Sequence, residues 1–134
     1  MLAINMPVTF DILDETTAGE RRGAGSFASN AEVTTVREVI RLRVQQEVER
    51  FNASDQEVFR GLIQPHETER VLNSVRARRV LDWERQYASA IHAFQSNGFL
   101  VLVDDRQVTE LDERVELRPE TKVTFLKLVP LIGG

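Results

Sequence analysis

Val123-Thr-Phe-Leu-Lys-Leu-Val-Pro-Leu-Ile-Gly133-Gly134 reads as an apolar strand that passes through one proline and stops at two glycines. Most chain ends are polar and fray. Here Leu128, Val129, Leu131 and Ile132 fall within the final seven positions, with no charge after Lys127. Glycine lacks a Cβ, so partner groups can approach its backbone from either side. A free glycine carboxylate is the least hindered acyl group a protein can offer. The stretch therefore suits a tail threaded into another protein's active site. The plain alternative is a last strand followed by a flexible end.

Upstream, Gly98-Phe-Leu-Val-Leu-Val-Asp-Asp-Arg-Gln-Val108 is an apolar run, a turn signal and a short second run. Leu111-Asp-Glu-Arg-Val-Glu-Leu-Arg-Pro-Glu-Thr-Lys122 leads from it to the final strand. Val8, Phe10 and Ile12 alternate with Thr9 and Asp11, the period of a half-buried strand. Thr16 to Glu20 is a turn candidate, and Glu20 to Phe27 can return as a second strand weakened by Gly23 and Gly25. That glycine-rich stretch lacks the Lys-Ser/Thr of a phosphate loop and reads as a floppy hairpin.

Thr35-Val-Arg-Glu38 is a capping box. Val36, Val39, Ile40, Val44, Val48 and Phe51 then recur at helical steps, predicting one apolar stripe of a helix that ends near Asn52. Residues 53–97 are helical in pattern and read as two or three helices. Val58 and Leu62 form a short stripe before Gln64-Pro65. Leu72, Val75, Trp83, Tyr87, Ile91 and Phe94 continue at near-helical spacing, with Ala77 and Val80 filling the slip, and Asn97-Gly98 is a stop. Trp83, Tyr87 and Phe94 are expected to pack on the sheet or the central helix. Self-association into a homo-oligomer, or a partner surface, is the alternative use of that stripe.

The chain's 134 residues suffice for one domain that buries roughly two-thirds of its unfolded surface. A net charge of -4 argues against nucleic acid as the main partner. No apolar run is long enough to span a bilayer. Met1-Leu-Ala-Ile-Asn-Met6 lacks the pattern of a signal peptide, so a cytoplasmic protein with no membrane partner is expected. There are no cysteines, which excludes disulfides and thiolate metal sites. In any thioester chemistry this chain is thus the acyl donor. Fifteen arginines accompany only two lysines, Lys122 and Lys127, which limits amide attachment of the chain to itself; an arginine-biased genome is the simpler cause.

No catalytic constellation or metal motif stands out. His66 is followed by Glu67 but by no second histidine at helical spacing, and His92 is isolated. Glu47 with Glu49, and Glu67 with Glu69, read as solvated faces. Arg76, Arg78 and Arg79 read as solvated helix surface, with an acidic docking partner as the minority use.

The hairpin, the strand and the Gly-Gly end, in that order over residues 98–134, resemble the carboxyl-terminal half of ubiquitin-like β-grasp proteins. They are most similar to the branch containing the molybdopterin-synthase small subunit and the thiamine sulfur carrier. Residues 6–52 are compatible with that pattern, whereas residues 53–97 depart from it. The Phe125-to-Ile132 run is also similar to bacterial ubiquitin-like modifiers encoded beside activating, conjugating and deconjugating enzymes. The resemblance implies an α+β fold: a single ubiquitin-like β-grasp domain over 1–134, with a helical insertion at 53–97 and a flexible reactive tail at 129–134.

The resemblance further implies a protein modifier rather than an enzyme. An E1-like enzyme would adenylate Gly134 using its own ATP and Mg, the chain itself binding no cofactor. An E2-like enzyme would take the thioester and pass it to target proteins, and a JAB-type peptidase would reverse the attachment. Some such systems act in antiphage defence. Gly133 and Gly134 would carry the chemistry. Leu126, Leu128, Val129, Pro130, Leu131 and Ile132 would bind the activating enzyme, with Pro130 keeping the tail from zipping onto its own sheet. A sulfur carrier ending in a Gly134 thiocarboxylate, and a non-covalent assembly module, are the competing expectations.

Overall fold

The alternation of Val8, Phe10 and Ile12 becomes strand β1 (Val8–Thr16), whose inward residues Phe10 and Ile12 are fully buried. The computed structural model describes residues 7–56, 58–65 and 80–128. A turn closed by the Glu20 carbonyl accepting from Thr16 N–H at 2.9 Å returns the chain as β2 (Arg21–Ser29), antiparallel to β1. A register shift at Ile12/Leu13 bends this hairpin, and Gly25 beside it sits at φ 112°, a conformation that favours glycine.

Helix α1 (Val36–Asn52) follows the short strand β3 (Val33–Thr35). Its start is half of the expected capping box. Glu38 N–H donates to Thr35 Oγ1 at 3.2 Å, while the Glu38 carboxylate is taken by Arg41. Val36, Val39, Ile40, Val44 and Val48 are buried as their spacing predicts, and Phe51 is half-buried.

Beyond α1 the expectation of helix fails at first. Residues 53–56 and 58–65 hold no helix. Ala53 closes α1 by donating to the Glu49 carbonyl at 3.0 Å. Leu62 N–H is claimed by the Glu47 carboxylate at 2.7 Å instead of by a helical carbonyl. Leu62 and Ile63 are buried, but Val58 is exposed, so Val58 and Leu62 form no stripe. Val80 is also exposed and fills no slip. Leu72, Val75 and Ala77 lie outside the described residues.

The second half of the expectation holds in α2 (Trp83–Gln95). Phe94 is buried against Phe99 at 5.8 Å between ring centroids, and Trp83, Tyr87 and Ile91 pack on the core. Asn97 at φ 60° ends the helix: its N–H donates to Phe94 O at 3.2 Å, and Gly98 N–H to Ala93 O at 2.7 Å.

Strands β4 (Phe99–Val103) and β5 (Arg106–Val108) form the expected hairpin around Asp104. β6 (Arg114–Glu116) pairs with β3 in a separate two-stranded sheet. β7 (Lys122–Lys127) enters the main sheet at its centre, antiparallel to β4 and parallel to β1. The five-stranded order is β2-β1-β7-β4-β5.

The result is an α+β fold with a mixed sheet, compatible with a β-grasp-like arrangement. One face of the sheet, led by Phe10, Ile12, Phe99, Val101, Val123 and Phe125, packs against α1 to form the core. The opposite face carries Leu13, Leu100, Leu102 and Leu126, all half-buried. α1 also covers the free edge of β2. The Gln46 amide donates to Ala28 O at 2.6 Å and accepts from Ala28 N–H at 3.0 Å, and Arg50 reaches Ser26 O at 2.5 Å. An edge occupied in this way cannot template another strand at those residues. Among the described residues, no helix is long and apolar enough to cross a membrane.

Two substitutions test this packing. Ile40 is wholly buried, so Ile40→Asp places a charge with no partner in the core. In a thermal melt that variant is expected to show no cooperative transition, whereas the parent chain is expected to show one. At Gly61 a Cβ would overlap the Phe59 ring and come within 2.8 Å of Glu47 Oε1. Gly61→Ala is expected to destabilise by about 1–3 kcal/mol in urea unfolding, the usual cost of overpacking.

Candidate functional site at the end of the last strand

The parallel pairing of β1 and β7 brings Lys127 opposite Thr16, and the antiparallel pairing with β4 brings it opposite Phe99. Leu128 N–H then donates to Gly98 O at 3.0 Å. The chain thus reaches the sheet's end between the β1–β2 turn and the stop of α2. Of the expected tail residues, Leu126 lies within β7 on the face away from α1. Leu128 is half-buried beside Gly98. Val129, Pro130, Leu131, Ile132, Gly133 and Gly134 lie outside the described residues, as do His66, Glu67, Glu69 and the Arg76, Arg78 and Arg79 cluster.

Immediately beneath Lys127 lies a feature the sequence reading missed. Arg43, on the inward side of α1, is fully buried. Its guanidinium grips the Asp14 carboxylate with two bonds, Nη1 to Oδ1 at 2.5 Å and Nη2 to Oδ2 at 2.8 Å. Its Nε donates to Glu47 Oε2 at 3.3 Å, and its carbon lies 4.7 Å from the centre of the Phe125 ring. Lys127 Nζ approaches Asp14 Oδ2 at 3.6 Å, and Arg22 adds a weaker contact at 3.8 Å.

Glu47 corrects the expectation of a solvated face: its side chain is only 13% exposed. Helical period alone put it beside Glu49, which is exposed. What buries Glu47 is the segment 58–65, whose Leu62 amide it accepts. Phe59 stacks edge-on against Phe51 at 5.3 Å, and Arg60 O accepts from Arg22 at 3.3 Å. The signal available in the sequence was Asp14 on the core side of an alternating strand.

Burial would raise the Asp14 pKa, but the Arg43 bonds and the nearby Lys127 and Arg22 charges outweigh it and hold the carboxyl below its ordinary range. Burial dominates at Glu47 and pushes it up despite Arg43. Burial also pushes the Lys127 amine down, against the pull of Asp14. The charges are saturated by one another, so the layer is structural. Its one amine, that of Lys127, is held against the Asp14 carboxylate. Among the described residues, no group of three His, Cys, Asp or Glu is placed to hold a metal. His92 is exposed on α2.

A second polar cleft, at the far end of the sheet, is lined by Arg106, Arg114, Glu116 and Arg118. Its guanidiniums are answered by carboxylates: Arg106 by Glu113 at 2.9 Å, and Arg114 and Arg118 by Glu116 at 3.7 and 3.6 Å.

Comparison of this chain with protein-family models, curated proteins and solved structures finds no match.

Arg43→Met removes the cation and leaves Asp14 and Glu47 facing each other in the interior. It is expected to cost about 3–5 kcal/mol by urea unfolding at pH 7. Asp14 has a lowered folded-state pKa, so its stabilisation is present above the ordinary carboxylate range and is lost as pH falls through the folded value. Glu47 has the opposite sign, favouring the fold when protonated. Asp14→Asn should therefore be less stable than the parent at pH 7. The gap should narrow on titration below about pH 4. Equal spacing of the two unfolding midpoints across that range would contradict the assignment.

Proposed function

We propose that the chain is a bacterial ubiquitin-like modifier of β-grasp fold whose Gly134 is its reactive end. The observation that supports this best is the placement of β7. The last strand occupies the centre of the sheet, parallel to β1, and runs directly into the apolar, Pro-containing segment that closes with Gly133 and Gly134. A tail rooted at the middle of a rigid sheet is held in position at its base, while its glycines admit close approach.

The proposed chemistry lies in partner enzymes. A carboxylate is a poor acyl donor until activated. An E1-like enzyme would join Gly134 to AMP, releasing pyrophosphate. A partner cysteine would displace AMP to give a thioester. An E2-like enzyme would then deliver the acyl group to an amine or hydroxyl of a target. Residues 129–132 would fill apolar pockets while the backbone is held extended, a recognised mode of terminus capture. The helical part of residues 53–97, with α2 against α1, would be an addition to the minimal β-grasp unit. A place in antiphage defence belongs to the same proposal.

The test is an N-terminally tagged chain in its native cells, beside a version lacking Gly133 and Gly134. Species of higher mass that survive boiling in reductant, and vanish with the glycines, are expected. A free chain with sulfur in place of one oxygen, without adducts, would instead make it a sulfur carrier. No adducts and an unchanged mass would point to a non-covalent module. Gly134→Ala is expected to fold as the parent does but to lose about 100-fold in activation rate, the scale set by misplacing a reacting group by about 1 Å.

A further inference from the structure

The chain has two lysines, and the fold treats them differently. Lys127 closes β7. Its side chain is 22% exposed and its Nζ lies against Asp14 above the buried Arg43. Lys122 opens β7 and is exposed. Its backbone is engaged: its N–H donates to Asp104 Oδ1 at 3.1 Å, and its carbonyl accepts from Asp104 N–H at 2.7 Å. The fifteen arginines cannot substitute as acyl acceptors, because a guanidinium remains protonated.

We propose that Lys122 is the site at which a second copy of this chain is attached, its ε-amine accepting the Gly134 acyl group; this rests on the modifier reading above. In the step, the neutral Lys122 amine attacks the carbonyl carbon of a Gly134 thioester held on a partner's cysteine. A C–N bond forms, the C–S bond breaks, the thiolate leaves and the amine loses a proton to base. Donor and acceptor are different groups of the chain: Lys122 opens β7, and Gly134 comes twelve residues later in the sequence. Linkage in trans is therefore head-to-tail. Each added copy presents an open Lys122 of its own, and such an arrangement extends without closing.

Two effects compete at Lys127. A depressed pKa leaves more of its amine unprotonated, which favours acylation. Its partial burial and its contact with Asp14 hinder approach of a bulky protein-bound thioester. Access decides the outcome.

The first experiment needs only the purified chain. Limiting sulfo-NHS acetate at pH 7.5, followed by peptide mass analysis, should acetylate Lys122 at least about tenfold faster than Lys127, with both reacting alike in denaturant, because burial and pairing exist only in the fold. Equal rates in the folded chain would overturn the distinction.

The second experiment uses the tagged chain in native cells. Alkali-resistant species containing two copies should disappear in Lys122→Arg and persist in Lys127→Arg, while conjugates to other targets persist in both. Two-copy species that survive Lys122→Arg would overturn the proposal. Target conjugates without any two-copy species in the parent would overturn self-attachment alone. Absence of every conjugate would overturn the modifier reading and self-attachment together, leaving the acetylation result standing.

Discussion

A single buried guanidinium organises one end of this fold. Arg43 projects from α1 into the core and binds Asp14 of β1 through both terminal nitrogens. It lies over Phe125 of β7 and touches Glu47 one helical turn on. Helix, first strand and last strand are thereby locked at one level. Such a cation is costly to desolvate, and it is tolerated only because two carboxylates and an aromatic face surround it. Apolar side chains of similar size could fill the same volume. They would not specify which turn of α1 meets which residue of β1 with the directionality of two parallel N–H···O bonds.

The layer continues in two directions. Through Glu47 it holds Leu62 N–H, and so the segment 58–65, over the second half of α1. A Cβ at Gly61 would push against the Phe59 ring and the Glu47 carboxylate, one or both of which would have to shift. Through Asp14 it reaches Lys127, the final residue of β7. The base of the C-terminal segment is thus fixed from within the core. The adjoining hydrogen bond from Leu128 to Gly98 fixes it from the sheet. Under the proposed function, a base held in this way lowers the ordering cost at Lys127 and Leu128 when the segment beyond them is bound.

Much of the fold was legible where one face of an element meets the core. The two-residue alternation of Val8 to Ile12, the 3- and 4-residue steps from Val36 to Phe51, and the Asn97-Gly98 stop each gave the element later observed. Legibility failed where tertiary partners override local pattern. Val58 and Leu62 have helical spacing, yet a carboxylate from α1 takes the Leu62 amide and the segment is irregular. Glu47 looked solvated because a helical wheel cannot show a loop returning to cover it. Arg43 sits between buried Leu42 and Val44, so charge type alone disguised a core position. For the candidate site, the sequence offers Gly133 and Gly134 only as an expectation, and both lie outside the described residues. The anchoring of the strand before them, by Asp14 and Arg43, became visible only once β1 and β7 were seen to run side by side.

The central claim is that the Gly134 carboxylate is activated by ATP. It can be read directly from ATP–pyrophosphate exchange in an extract of native cells lacking the chain, with purified chain added back. Exchange that depends on added chain, and that disappears when Gly133 and Gly134 are removed, is the predicted result. Exchange that is unchanged by the chain, or that proceeds equally well without the two glycines, would contradict it.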